Sequence, residues 1–316
     1  MATRVRAVVE NITPQVDCGR FSIKRTTGEE VVVEADVFAD GHDCVSASLL
    51  YRQYPATQWR QCPMREIGND RWQGSFTVGQ PGAYEYAVAA WIDQIGTWRR
   101  GLIRKHEAGQ NVDVELRQGA ALLLDAASRA SGSDAERLRE WAAALDGAGT
   151  DRVALVQDEA LHDIARQYPE SSTVTESDPP LEVWVDRERA RFSTWYEMFP
   201  RSAAPETGRH GTFTDLEGLL PYVASMGFDV LYLPPIHPIG VTDRKGPDNA
   251  PSRNPQDPGS PWAIGSGDGG HREIHPQLGT LEDFRRLVAA ATAHGIELAL
   301  DLAFQATPDH PYVREH

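Results

Sequence analysis

Apolar residues along this chain follow three successive patterns. Up to about residue 105 they alternate or cluster in short runs: VRAVVENITP, VVVEADVF, ASLLYRQY, WQGSFTV and YEYAVAAWI, with NVDVEL just beyond. Runs rich in Val, Tyr, Phe and Trp between Gly, Pro, Asn and Asp turns predict antiparallel strands at the spacing of a sandwich. From Ala120 to about Tyr168 the spacing becomes three to four, which predicts helices over 120–131, 134–145 and 151–168. Ser133-Asp134 and Thr150-Asp151 are candidate N-caps, and Gly147 and Gly149 are breakers. LEVWVDRERA (181–190) returns to a strand pattern after Pro179-Pro180.

Beyond Arg191 strand and helix alternate. RFSTWYEMF (191–199), FDVLYLPP (228–235) and IELALDL (296–302) read as strands. Between them lie helices over 214–226, capped by Thr212 or Thr214, and over 281–294, opened by Thr280. Apolar runs that end in polar loops suit parallel strands covered on both faces, and chemistry in such sheets gathers where strands end. The residues after Leu233 and Leu300 are therefore the places to look.

Composition narrows the classes. The 316 residues, 41% hydrophobic, are enough for two to three domains of ~100–200 residues. No run of 18 apolar residues suggests a membrane span and MATRVRAVVE is no signal peptide, so the expected location is the cytoplasm. Cys18, Cys44 and Cys62 form no zinc or disulfide pattern and read as reduced, small buried residues. A formal charge of −15 argues against a nucleic-acid footprint. Between Lys105 and Pro179 stand 7 Lys/Arg against 15 Asp/Glu, so about half of that excess sits on the helical segment. Against this background a short basic loop is more telling than in a neutral protein.

Four segments carry the candidate chemistry: VLYLPPIHPIG (230–240), TDRKGPDN (242–249), GSPWAIGSGDGGHREIHPQLGT (259–280) and GIELALDLAFQATPDHP (295–311). GSGDGG (265–270) lacks the Lys-Ser/Thr of a phosphate-binding P-loop, and neither histidines nor carboxylates show closed metal-site spacing. Together these segments resemble the α-amylase superfamily of glycoside hydrolases and transglycosylases. Within it they resemble the branch of maltosyltransferases that use α-maltose 1-phosphate, and the likeness runs along essentially the whole chain. GxYEYxVxAW similarly resembles the last strands of the immunoglobulin-like modules that precede catalytic barrels in glucan enzymes.

The resemblance implies a multidomain chain. It would comprise an all-β immunoglobulin-like sandwich (1–110), a helical insert bundle (111–178), a return strand or linker (179–190), and the first three βα units of an incomplete (β/α)8 barrel, an α/β (TIM) fold (191–316). Two donor contacts carry over. Lys245 would offer a compact positive charge to the phosphate or hydroxyls of α-maltose 1-phosphate. Gln305 would offer an amide that both donates and accepts. Where amylases usually carry Asn-His, this chain has Gln305-Ala306, a departure that fits the maltosyltransferase branch. Asp301 is read as a structural carboxylate rather than the nucleophile. Asn249, Ser266, His271, Glu273 and His275 are weaker candidates for lining the site. Trp59, Trp72, Trp91 and Trp98 are candidate sugar platforms, with core and rim packing the favoured reading.

The implied reaction is a retaining double displacement, whose two carboxyls must lie ~5–5.5 Å apart. The resemblance puts these carboxyls on the fourth and fifth strands, beyond His316, so no catalytic residue is assigned and the chain alone is expected to be inactive. Expected partners are α-maltose 1-phosphate and α-1,4-glucan, with a homodimer when complete and no organic cofactor, metal, nucleic acid or membrane. The alternatives are another superfamily transglycosylase, trehalose synthase or branching enzyme, or a non-catalytic module for glucan binding or dimerisation.

Overall fold

Strand β3 (Glu30–Ala39) shows how the first half folds: Val31, Val33, Ala35 and Val37 alternate with more exposed residues and are themselves wholly buried. In this computed structural model, which describes residues 6–149, 151–251, 254 and 256–316, the chain divides into units at 1–191 and 192–316. The first unit combines two sheets with a group of helices. Its other early strands are β1 (Ala7–Thr13), β2 (Ile23–Thr26), β4 (Cys44–Gln53), β5 (Arg60–Pro63), β6 (Arg65–Gly68), β7 (Arg71–Thr77) and β8 (Gly82–Asp93). β9 (Thr175–Glu176) and β10 (Leu181–Asp186) follow the helices.

One sheet has the order β1-β3-β7-β6 and the other β2-β10-β8-β4-β5, with β9 added to β8. The two share one core, in which β3 valines meet Leu49, Tyr86, Val88 and Val183. Each buried apolar side chain contributes about 1.5–3 kcal/mol. The return strand β10 runs antiparallel to β8 and parallel to β2, so it sits inside the second sheet. Tyr86 donates its hydroxyl to the Pro14 carbonyl, and burial pushes its pKa up to about 12.

Helices α1 (Gln94–Glu107), α2 (Asp113–Arg129), α3 (Gly132–Asp146), α4 (Arg152–Gln157) and α5 (Glu159–Ala165) form a second core around Trp98, Leu102, Leu116, Leu123, Leu138 and Leu161. Several expectations change here. Helix already begins at Gln94, well before the predicted Ala120, because Asp93 at the end of β8 accepts from the Gly96 N–H at 2.7 Å and caps α1 without a loop. NVDVEL is not a strand: Val112 and Leu116 are both buried one helical turn apart, and α2 starts at Asp113. Ser131, not Ser133-Asp134, is the N-cap of α3. The predicted helix over 151–168 breaks at Asp158, whose side chain accepts from Ala160 N–H at 2.9 Å and starts α5. Asp151 is the N-cap residue of α4 without a side-chain bond, and Thr150 lies outside the described residues.

The tryptophans follow the packing reading. Trp72, Trp91 and Trp98 are 6–7% exposed, and Trp59 lies partly buried beneath the Arg52 guanidinium. All three cysteines are free; Cys44 and Cys62 are half-buried, but Cys18 is exposed and fills no core. No helix among the described residues is long and apolar enough to cross a membrane.

In the second unit β11 (Trp195–Glu197), β12 (Val230–Leu233) and β13 (Glu297–Leu300) form a parallel sheet in chain order. Helix α6 (Phe213–Ser225) links the first two, α7 (Leu281–Ala293) the last two, and α8 (Pro311–Glu315) follows. Both long helices open with a complete capping box, Thr212 with Asp215 and Thr280 with Asp283. Their apolar faces place Phe213, Leu216, Leu220, Leu287 and Ala291 against Leu231 and Leu233.

Candidate functional site

The loops after β12 and β13 are built as one piece. Ile264, midway along the first loop, bridges Ile239 on one side and Ala306 on the other. Thr307 N–H donates to the Ile264 carbonyl at 2.9 Å, and Gly240 N–H donates to Ala263 at 2.8 Å. The crossing leaves no room for side chains: a Cβ on Gly240 would lie 2.2 Å, and one on Gly265 1.8 Å, from Thr307 Oγ1. Glycine at both positions is therefore a packing requirement.

Asp309 fastens this crossing. Its carboxylate accepts backbone N–H groups from Val241 and Thr242 at 3.1 Å each and from Ser266 at 2.7 Å. Burial works against its charged form, yet the three donors outweigh that cost and hold its pKa well below the usual carboxylate range. Next to it, fully buried His310 pairs with His271 at 2.8 Å, and the other ring nitrogen of His271 lies 2.6 Å from the Ala303 carbonyl. Both loops are thus held by charge-assisted and ring hydrogen bonds beneath their exposed tips.

The tips carry the two predicted donor contacts. Lys245 is exposed on the first loop, anchored through its carbonyl, which accepts Gly259 N–H at 2.9 Å. Gln305 is exposed on the second, between Ala303, whose carbonyl meets His271, and Ala306, which bridges Ile264. The strands before these loops, β12 and β13, are paired neighbours.

The weaker candidates divide. Asn249 is exposed at positive φ, whereas Ser266 is 5% exposed and bonds Asp268 at 3.0 Å, so Ser266 serves the loop itself. His271 is likewise a loop tie. Glu273 lends its backbone carbonyl to His237 at 2.9 Å. His275 keeps Nδ1 buried without a hydrogen-bond partner among the described residues, and burial, with His210 beside it, lowers its pKa to about 4. Asp301 accepts from the Trp262 indole at 2.6 Å and from the Tyr232 hydroxyl.

Two arginines, one from the segment before α6 and one from the first loop, bond the Pro258–Gly259 backbone. Arg201 donates to the Gly259 carbonyl at 2.9 Å and Arg244 reaches the Pro258 carbonyl at 3.5 Å. Burial lowers both pKa values, and in Arg201 the neighbouring Arg244 adds to the effect. Asp257 and Asp309 partly offset this in Arg244, and Lys245 follows it directly in sequence, so the segment holds cations and carboxylates side by side.

Sequence reasoning missed Asp309, Thr307, His310 and Trp262. All four lie inside the quoted segments, but their partners are backbone groups or residues 39–68 positions away, which no local spacing reveals.

A protein named alpha-1,4-glucan:maltose-1-phosphate maltosyltransferase from Chlorobaculum tepidum is 50% identical over 314 residues, covering 99% of this chain and 47% of the relative. One of the same name from Myxococcus xanthus is 49% identical, covering 100% of this chain and 49% of its own length. An alpha-amylase structure from Lactobacillus plantarum is 32% identical, with a TM-score of 0.31, over 39% of this chain and 25% of that one. The chain spans about half the length of the curated relatives it matches. The family described as "Alpha-1,4-glucan:maltose-1-phosphate maltosyltransferase, domain N/S" matches residues 5–187, more than half of the chain, and this protein belongs to that family.

Proposed function

We propose that this chain is the amino-terminal part of a transferase that moves maltosyl units from α-maltose 1-phosphate to the non-reducing end of α-1,4-glucan and releases phosphate, in glycogen or α-glucan synthesis. The single observation that carries the reading is near-half identity along the whole chain to proteins bearing that name. The same names disfavour trehalose synthase, branching enzyme and a non-catalytic module.

In this reading the two-sheet unit is an immunoglobulin-like sandwich carrying a helical insert, and the second unit is the first three βα units of a (β/α)8 barrel. Three parallel strands in chain order, alternating with helices, support it. So do Leu302 and Phe304, 69% and 88% exposed, apolar side chains that a further barrel wall would cover. The domain division proposed from sequence then shifts its first boundary to Asp93, where β8 passes into α1.

Lys245 meets the donor phosphate as a compact point charge, and Gln305 hydrogen-bonds the donor hydroxyls. Asp301, held by Trp262 and Tyr232, keeps the floor of the site ordered. The reading assigns no nucleophile or general acid to these residues; a retaining double displacement requires two further carboxyls. The working enzyme is a cytoplasmic homodimer needing no organic cofactor or metal.

Steady-state kinetics of the complete enzyme tests the assignment. Lys245→Ala and Gln305→Ala should each raise KM for α-maltose 1-phosphate by about tenfold or more, the loss of one charged or bidentate contact. KM for glucan should stay near its original value. Unchanged donor KM in both variants would remove these residues from the site.

A further inference from the structure

The amino-terminal unit contains a polar groove of about 650 Å³ between the β4–β5 hairpin and the β7–β8 turn. That volume lies in the range of about 300–1,000 Å³ usual for small-molecule sites. Tyr54 lines it, 71% exposed, on a hairpin whose backbone is pinned: Tyr54 N–H donates to the Ala83 carbonyl at 2.9 Å and Ala56 N–H to that of Gln53 at 2.9 Å. Tyr84, 6% exposed, also lines the groove, and its hydroxyl accepts Gln80 N–H at 3.1 Å.

The lining has a definite chemistry. Among the described residues no carboxylate lines the groove, although Asp and Glu outnumber Lys and Arg by 46 to 31 in the chain. Arg52 is neutralised by Glu85 at 2.5 Å and stacked on Trp59 at 4.2 Å. The side chains of Gln58, Arg60 and Gln80 line the groove and hydrogen-bond to none of the described residues. Amide and guanidinium planes with open hydrogen-bonding capacity suit vicinal hydroxyl pairs. An exposed ring supplies contact area at the cost of only two side-chain torsions. An apolar ligand would strand the amides, and a single unpaired guanidinium on an exposed rim holds an anion weakly in physiological salt.

We propose that this groove binds a neutral oligosaccharide, with Tyr54 stacking on a sugar face and Gln58, Gln80 and Arg60 bonding its hydroxyls. The groove is a second carbohydrate site, and it includes none of the residues assigned to the donor. That its sugar is α-1,4-linked rests on the proposed function; that it is an oligosaccharide rests on the groove alone.

Calorimetric titration of the chain with maltoheptaose, cellohexaose and inorganic phosphate tests both statements. Saturable maltoheptaose binding is expected, weakened about tenfold by Tyr54→Ala, as for loss of a central aromatic anchor. The double variant Gln58→Ala/Gln80→Ala should weaken it similarly, Tyr54→Phe should retain it, and Lys245→Ala should leave it unchanged. Unaltered thermal midpoints in these exposed-site variants would confirm that folding is intact. Tyr54-dependent binding of cellohexaose without maltoheptaose would keep the oligosaccharide site and overturn the α-1,4 assignment, counting against the proposed function. Absence of binding by either sugar, insensitivity to Tyr54→Ala, or displacement by phosphate would overturn the proposal.

Discussion

Asp309 accepts the backbone N–H of Ser266 at 2.7 Å, and this contact, spanning 43 positions, joins the loop after β13 to the loop after β12. With the bonds to Val241 and Thr242 it makes one carboxylate the fastening of both candidate donor loops. Replacing it strands three backbone donors. Asp309→Ala should therefore lower the stability of the second unit by about 2–4 kcal/mol, read as a shift in its urea midpoint. A change below about 0.5 kcal/mol would mean that the loops hold together without it.

The same carboxylate sets an acid limit. Its folded pKa lies below the ordinary value of 3.8, so its contribution is present above about pH 4 and is lost as pH falls through and below that value. The stability difference between wild type and Asp309→Asn should shrink as pH is lowered from 5 to 2. A constant difference across that range would show that ionised Asp309 contributes nothing.

His275 predicts a pH dependence in a different window. Its pKa falls from 6.5 to about 4 on folding, so between those values the unfolded chain binds the extra proton. Stability should then decline as pH drops from 6.5 to 4, by on the order of 2 kcal/mol from this residue. His275→Gln should flatten that part of the profile. An unchanged slope in the variant would locate the dependence elsewhere.

The glycine crossing makes a prediction about coupling. Gly265→Ala would set a methyl 1.8 Å from Thr307 Oγ1, which the tight packing cannot absorb at less than about 1–3 kcal/mol. Thr307→Ala removes the obstructing atom, so the double variant should recover part of that loss. Gly240→Ala should not be rescued as well, because its added methyl would also approach Thr307 Cβ at 2.6 Å. Equal rescue at both glycines would contradict the packing described.

Much of the fold was legible because local signals and tertiary packing agree. Thr212 and Thr280 stand before apolar periodic runs with an acidic residue three positions on, and both helices start there. Val112 to Leu116 misled because alternation over five residues also fits one turn of helix; only the buried face continuing through Ala120 and Leu123 separates the two. Helix α1 was missed because Gly96 and Gly101 weaken its helical signal and β8 enters it without a turn. Gly119 shows why it belongs in the bundle: the Trp98 ring lies so close that a Cβ there would be 1.9 Å away. Within the candidate site, Lys245 and Gln305 came from motif likeness, whereas Asp309 and Thr307 act through backbone groups that sequence does not label.

The most direct test of the account is glucan-dependent phosphate release from α-maltose 1-phosphate by the complete enzyme carrying this sequence, with product length followed by mass spectrometry. The account predicts phosphate release that requires an α-1,4-glucan acceptor, with product chains lengthened in steps of two glucose units. Phosphate release accompanied only by free maltose, or chain growth from a donor without phosphate, would contradict it.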